Sequence, residues 1–148
     1  MIPQELINFV TESNRIEGIL REPTDGELEV HQWVLAQPKL TIRTLTSFVT
    51  IVQPGAVLRH LPGLNVHVGG HAAPLGGLHI VAELQHILEH LDLRSVYQTH
   101  LAYEVLHPFT DGNGRSGRVL WLHQMGGKAP LGFLHQFYYQ TLAALGED

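Results

Sequence analysis

The residues best equipped for chemistry stand together in the stretch His107-Pro108-Phe109-Thr110-Asp111-Gly112-Asn113-Gly114-Arg115-Ser116-Gly117-Arg118. Pro108 has no backbone N–H and cannot continue a helical ladder, so His107 is expected as the last helical residue, a basic imidazole held at a rigid helix end. Phe109 is the large apolar residue of the loop and should anchor it to the core. Gly112, Asn113 and Gly114 lead into the next helix, where small residues let successive N–H groups converge on an anion and the helix N-terminus adds partial positive charge. Arg115 and Arg118 share one face of that first turn. Cations there are misplaced by roughly 0.3–1 kcal/mol each, and a polyanion bridging them would reverse the sign. Asp111 offers a hard oxygen suited to a Mg²⁺ that also binds phosphate oxygens. Any one of these residues alone fits a plain capped, salt-bridged turn between two helices. Base, metal ligand, anion nest and two arginines together point to phosphoryl or nucleotidyl transfer.

Positioning these groups requires helices on both sides of the loop. Pro3 begins a helical pattern with Leu6, Ile7, Val10 and Ile16 apolar, and Gly18 stands where it would stop. Thr24 with Glu27 reads as a capping box for a helix ending before Pro38. Thr41 caps a third helix that Pro54 closes. Between positions 56 and 70 the period changes: Leu64, Val66 and Val68 alternate with Asn65 and His67, and Pro62-Gly63 supplies a turn, predicting a β-hairpin. Helical spacing returns at Leu78, Val81, Leu84, Leu88 and Leu91. Ser95 with Gln98 opens the helix that leads up to His107. Another follows Gly114 as far as Met125, stopped by Gly126-Gly127, and a last one is expected from about Leu131 to Leu145. The predicted fold class is all-α, a helical bundle with one short hairpin, in a single domain over 1–148.

Bulk properties narrow the chemistry. A chain of 148 residues with 44% hydrophobic and 16% charged residues can bury one core. A net charge of -5 argues against a nucleic-acid partner, whose phosphates need a positive surface. With no cysteine, thiol nucleophiles, disulfides and Cys-ligated zinc drop out. The N-terminus has no long apolar core and the uncharged run from His60 to Ala82 is broken by Pro, Gly, His and Asn, so neither a signal peptide nor a membrane span is expected. The expected location is cytoplasmic, with export by a signal-less route left open.

The 107–118 stretch resembles the signature of the Fic family, His-Pro-Phe-x-Asp/Glu-Gly-Asn-Gly-Arg-x-x-Arg, at every defined position. Tyr103-Glu104-Val105-Leu106 before it, the segment from Asn65 to His71 and the Tyr138-Tyr139 pair also look Fic-like, so the resemblance covers nearly the whole chain. It implies a Fic-fold bundle and a protein adenylyltransferase: AMP passes from Mg-ATP to a Ser, Thr or Tyr hydroxyl of a target protein. His107 would be the general base. Asp111 would hold Mg²⁺ between the α- and β-phosphates. Gly112, Asn113 and Gly114 would stabilise phosphate charge, Arg115 on the β-side and Arg118 at the γ-phosphate. Val68, Gly69, Gly70 and His71 would lie against the nucleotide, the hairpin would dock the target's main chain, and Tyr139, with Tyr138, could line the adenine pocket. His67 stands where the family often has Arg.

The segment Ser13-Asn14-Arg15-Ile16-Glu17-Gly18 reads physically as a capped helix end, although a carboxylate there opposes the helix dipole. It also resembles the inhibitory motif Ser/Thr-x-x-x-Glu-Gly/Asn of the same family. That likeness implies that residues 1–18 form an inhibitory helix, with Ser13 and Glu17 set against Arg118 within the same chain.

Among 11 histidines, His86 and His90 have zinc-ligand spacing but no acidic helper, so a solvated helix face is the better reading. His100 reads as structural support, and Trp33 and Trp121 as packing. Three other functions stay open. Glu17 could activate a water to remove AMP, the chain could be a non-catalytic module switched by nucleotide, or UMP could replace AMP. A homo-oligomer is equally open.

Overall fold

The computed structural model describes residues 1–68 and 71–128, with only the backbone at Val68 and His71. It is all-α. In chain order the elements are α1 (Gln4–Ile16), α2 (Asp25–Ala36), α3 (Ile42–Val52), β1 (His67–Val68), β2 (His71–Ala72), α4 (Leu78–Glu89), α5 (Val96–Leu106) and α6 (Asn113–Gln124). None of the described helices is long and apolar enough to cross a membrane.

Local sequence accounts for the helix ends. Thr24–Glu27 and Ser95–Gln98 form complete capping boxes at α2 and α5. Thr41 accepts from the Thr44 N–H at 3.2 Å to start α3. At the end of α1, Gly18 takes φ 78° and donates to Arg15 O, while Ile19 donates to Asn14 O. This paired pattern is the Schellman stop, and it leaves Glu17 as the C-cap residue.

Helix α6 lies at the centre, packed against α5, α2, α3 and α1. The main core gathers Val34, Leu45, Phe48, Ile80, Leu84, Tyr103, Phe109, Val119 and Leu120. A second cluster joins Leu6, Phe9 and Val10 of α1 to Trp121 and Leu122 of α6, with Phe9 stacked on Trp121 at 6.2 Å between ring centroids. Each such side chain contributes roughly 1.5–3 kcal/mol on burial. Gly117 lets α5 and α6 approach closely, because a Cβ there would fall 2.9 Å from Glu104 Oε1 and 3.1 Å from Tyr103 Cδ1.

Several sequence expectations change. Among the described residues of the 56–70 segment, the strand is confined to His67–Val68. Pro62-Gly63 does turn, with Leu64 N donating to Leu61 O at 3.3 Å, but the strands lie after it: β1 and β2 pair antiparallel over two residues each, His67 with Ala72 and Val68 with His71. The extended character read at 56–59 has another partner. Leu58 bridges Phe109, Arg59 N donates to Pro108 O, and Thr110 N donates to Val57 O, all across the motif loop. Alternation in sequence marks extended backbone without saying which strand it meets. Helix α6 starts at Asn113, before Gly114, since Gly112 in the left-handed region (φ 78°) serves as its N-cap. Trp121 is buried as expected, but Trp33 is exposed on the outer cleft between α2 and α3. The helix expected over 131–145 lies outside the described residues.

Candidate active site

His107 is not the last helical residue: α5 ends at Leu106 and His107 is its C-cap, at φ 51°, ψ 64°. It is the one non-glycine residue at positive φ among those described. Pro108 steers the residue before it away from the right-handed helix, and the left-handed conformation stores about 1–3 kcal/mol of strain that surrounding contacts must hold. The ring is half-buried, with Nδ1 3.0 Å from Glu104 O. A carbonyl can only accept, so Nδ1 carries the hydrogen, and the lone pair of the neutral ring is on Nε2.

The loop after His107 is closed by Asn113. Phe109 N donates to Asn113 Oδ1 at 2.9 Å and Asn113 Nδ2 donates to Phe109 O at 2.8 Å. The Asn113 side chain is buried and committed to shaping the loop, so what it turns toward an anion is its backbone. The first α6 bond runs from Ser116 N to Gly112 O; the N–H groups of residues 113–115 precede it and have no partner within the helix. Gly112 packs against α3, where a Cβ would meet Gln53 Cβ at 3.3 Å. Asp111 is exposed at the loop edge, its Oδ1 accepting from Gly112 N at 2.8 Å.

The two arginines diverge. Arg115 is buried and reaches the C-terminal end of α3, donating to Val52 O at 2.8 Å and Gln53 Oε1 at 2.7 Å, with Glu27 Oε2 at 3.5 Å. It therefore sits at a negative helix end, which answers its misplacement at the start of α6. Glu27 also holds Arg21 (2.8 and 3.2 Å), Thr24 N (2.8 Å) and Asn14 Nδ2 (3.4 Å). Burial alone would raise the Glu27 carboxyl, but the hydrogen bonds and charge of Arg21 and the Thr24 N–H outweigh it and hold the group down at about 2.

Arg118 turns to α1. Its Nε donates to Ser13 Oγ at 2.8 Å, and its Nη2 donates to Ser13 O at 3.0 Å and Glu17 Oε2 at 2.6 Å. Ser13 and Glu17 are one turn apart on α1, whose Phe9 and Val10 are seated against α6, so the apolar contact delivers both polar groups. The Glu17 carboxylate also lies over Gly114, where an added Cβ would fall 2.6 Å from Oε2. A carboxylate thus occupies the space between the first turn of α6 and a buried guanidinium, where helix dipole and charge favour an anion.

Beneath the site, His31 and His100 are held neutral. Burial lowers His31 to about 4, the charges of Arg115 and Arg118 adding to it against the Glu27 carbonyl and charge. Burial and Arg118 lower His100 to about 3. His100 is thus the structural support expected. Tyr103 bonds Ser116 Oγ at 2.6 Å in full burial. His86 and His90 lie with rings 4.2 Å apart at the surface. Gly69, Gly70, Tyr138 and Tyr139 lie outside the described residues, as do the side chains of Val68 and His71.

Sequence reading missed the wider part played by Glu27, which showed itself only as a capping-box partner, and missed Arg59 altogether. The one signal for Arg59 was a lone charge following Ala56-Val57-Leu58.

A left-handed histidine at a helix end, a loop closed on itself and a buried arginine met by a carboxylate at a helix start stand together in one helical site. The family model for the Fic/DOC family matches residues 4–125, and the chain belongs to that family. Its members generally transfer nucleotide-derived groups to proteins. No curated protein matches the chain.

Proposed function

We propose that this protein transfers AMP from Mg-ATP to a hydroxyl of a target protein and that Glu17 restrains the reaction. The observation that carries the reading is the Glu17 carboxylate over Gly114 and against Arg118. An anion is already at home there, and a phosphate of ATP can take its place. The triphosphate would rest on the N–H groups at the start of α6, with its γ-phosphate at Arg118. The target hydroxyl gives its proton to His107 Nε2 as its oxygen bonds the α-phosphorus. The bond from that phosphorus to the oxygen bridging to the β-phosphate breaks, and pyrophosphate leaves.

Asp111 suits Mg²⁺, which is commonly held by one or two carboxylates and substrate phosphates. Its exposed carboxylate, fixed at one oxygen by Gly112 N, matches that habit. When bound, Mg²⁺ would neutralise charge on the α- and β-phosphates. The segment around β1 and β2 would dock the target's main chain by strand addition. Cellular ATP as donor fits action in the cytoplasm.

With Glu17 in place the γ-phosphate meets a carboxylate instead of a free guanidinium face. Replacing Glu17 by Gly should therefore release transfer, read as radiolabel passing from α-labelled ATP to lysate proteins. Equal labelling by both forms would remove the basis for restraint, and none by either would remove the transferase reading. A second reading rests on the 35% exposure of the Glu17 side chain: a carboxylate open to solvent could activate water to release AMP from a modified target.

A further inference from the structure

One residue outside the motif ties the base to the segment proposed to receive the target. Arg59 has no accessible surface, and its guanidinium donates to four backbone carbonyls. Nε reaches His107 O at 2.6 Å and Nη2 reaches Leu106 O at 2.8 Å, both at the end of α5. Nη1 reaches Leu64 O at 3.0 Å and Pro74 O at 2.7 Å, on either side of the β1–β2 pair. The Arg59 peptide joins neighbouring parts too: its N–H donates to Pro108 O at 2.9 Å and its carbonyl accepts from Gly77 N at 3.0 Å.

Physical chemistry favours arginine at this point. The last carbonyls of a helix have no partner within it and carry the negative end of the dipole. A planar fork with donors in fixed directions can serve acceptors on two sides at once, whereas lysine is a point charge on a flexible stem. Filling a gap would not by itself call for a buried charge, which is costly to desolvate. The placement of the four acceptors gives the reason for it. Two belong to the strained turn that carries the imidazole, and two belong to the feet of the strand pair.

We propose that Arg59 is a positioning residue for the transfer reaction, holding the His107 backbone in register with the 64–74 segment so that a docked hydroxyl meets Nε2. This rests on the reading of His107 as base and of the β1–β2 segment as the docking edge.

The test uses the full chain carrying Glu17→Gly, with and without Arg59→Lys. The lysine variant should bind a non-hydrolysable ATP analogue within about threefold of its parent, because Arg118 and the start of α6 are untouched. Its kcat for transfer should fall at least tenfold. Amide hydrogen exchange should rise together in 60–76 and 106–110, a coupling that a simple space-filling role would not produce. A kcat within threefold of the parent, or faster exchange on one side alone, overturns the proposal. So does a kcat loss matched by an equal loss of ATP binding. If Arg59→Lys does not fold, Thr110→Val removes the Oγ1 acceptor of Val57 N (3.0 Å) at the same joint. It should lower kcat severalfold with analogue binding unchanged, and an unchanged kcat would overturn the idea. A parent that labels no protein marks the failure of the transferase reading, and the catalytic part of the proposal falls with it. An active parent with an indifferent lysine variant marks the failure of the brace alone.

Discussion

Glu17 Oε2 lies 2.6 Å from Nη2 of Arg118, a contact between residues 101 positions apart. The guanidinium is fully buried while the carboxylate is 35% exposed. Arg118 is thus fixed in the core, while Glu17, the C-cap of a helix seated by a small apolar cluster, meets it from the solvent side.

Replacing Glu17 by glycine should raise AMP transfer at least tenfold, measured as initial rate with α-labelled ATP. Stability should fall, since the change takes the carboxylate partner from the buried Arg118 guanidinium, an effect the relief of an unfavourable charge at the helix end offsets only in part. A rate within twofold of wild type would contradict the restraint.

Ser13→Ala tests the same contact from its buried side. The change removes the hydroxyl that accepts from Arg118 Nε at 2.8 Å, leaving Glu17 in place. Removing one partner of a buried charged bond costs about 1–3 kcal/mol, so denaturant midpoints should fall. Transfer should rise by less than with Glu17→Gly, as α1 loosens without losing its anion.

His107→Ala should abolish transfer while leaving the affinity for an ATP analogue within about threefold in calorimetry. The imidazole is held through Nδ1 by Glu104 O, apart from the α6 N–H groups. Residual transfer above a hundredth of the parent rate would assign the base elsewhere.

Acid should destabilise the fold in two stages. His31 and His100 have folded values of about 4 and about 3, below the ordinary 6.5. The unfolded chain therefore binds protons first, and the stability these groups allow is complete above pH 6.5 and declines as pH falls toward 4 and 3. Glu27, lowered from 4.5 to about 2, adds stability above pH 4.5 that is lost as pH approaches 2. Melting temperature should begin to drop near pH 6.5, and His100→Gln should flatten the upper part of that slope. Unchanged melting between pH 7 and 5 would contradict the buried neutral histidines.

Gly117→Ala should cost about 1–3 kcal/mol through overpacking, because its Cβ meets Glu104 Oε1 and Tyr103 Cδ1 at the α5–α6 contact. Thermal unfolding would show it as a melting point lower by several degrees.

The features legible in the sequence are those whose partners lie a few residues away. The capping boxes at Thr24 and Ser95, the stops at Gly18 and Gly126 and the loop from Pro108 to Gly112 all follow from local backbone chemistry, which sequence spells directly. The helical class follows from apolar spacing. The pairing of Glu17 with Arg118 was legible through family resemblance alone, since the residues by themselves read equally well as a helix end.

Tertiary packing decided the rest. It sent Arg115 to α3 and Arg118 to α1, although their spacing put them on one face. It paired the extended stretch at 57–59 with the motif loop and brought Arg59 to the end of α5. The acceptors in these contacts are largely main-chain carbonyls, which every residue carries alike. Side-chain identity therefore announces a donor, and only the folded arrangement of helices selects which carbonyls it meets.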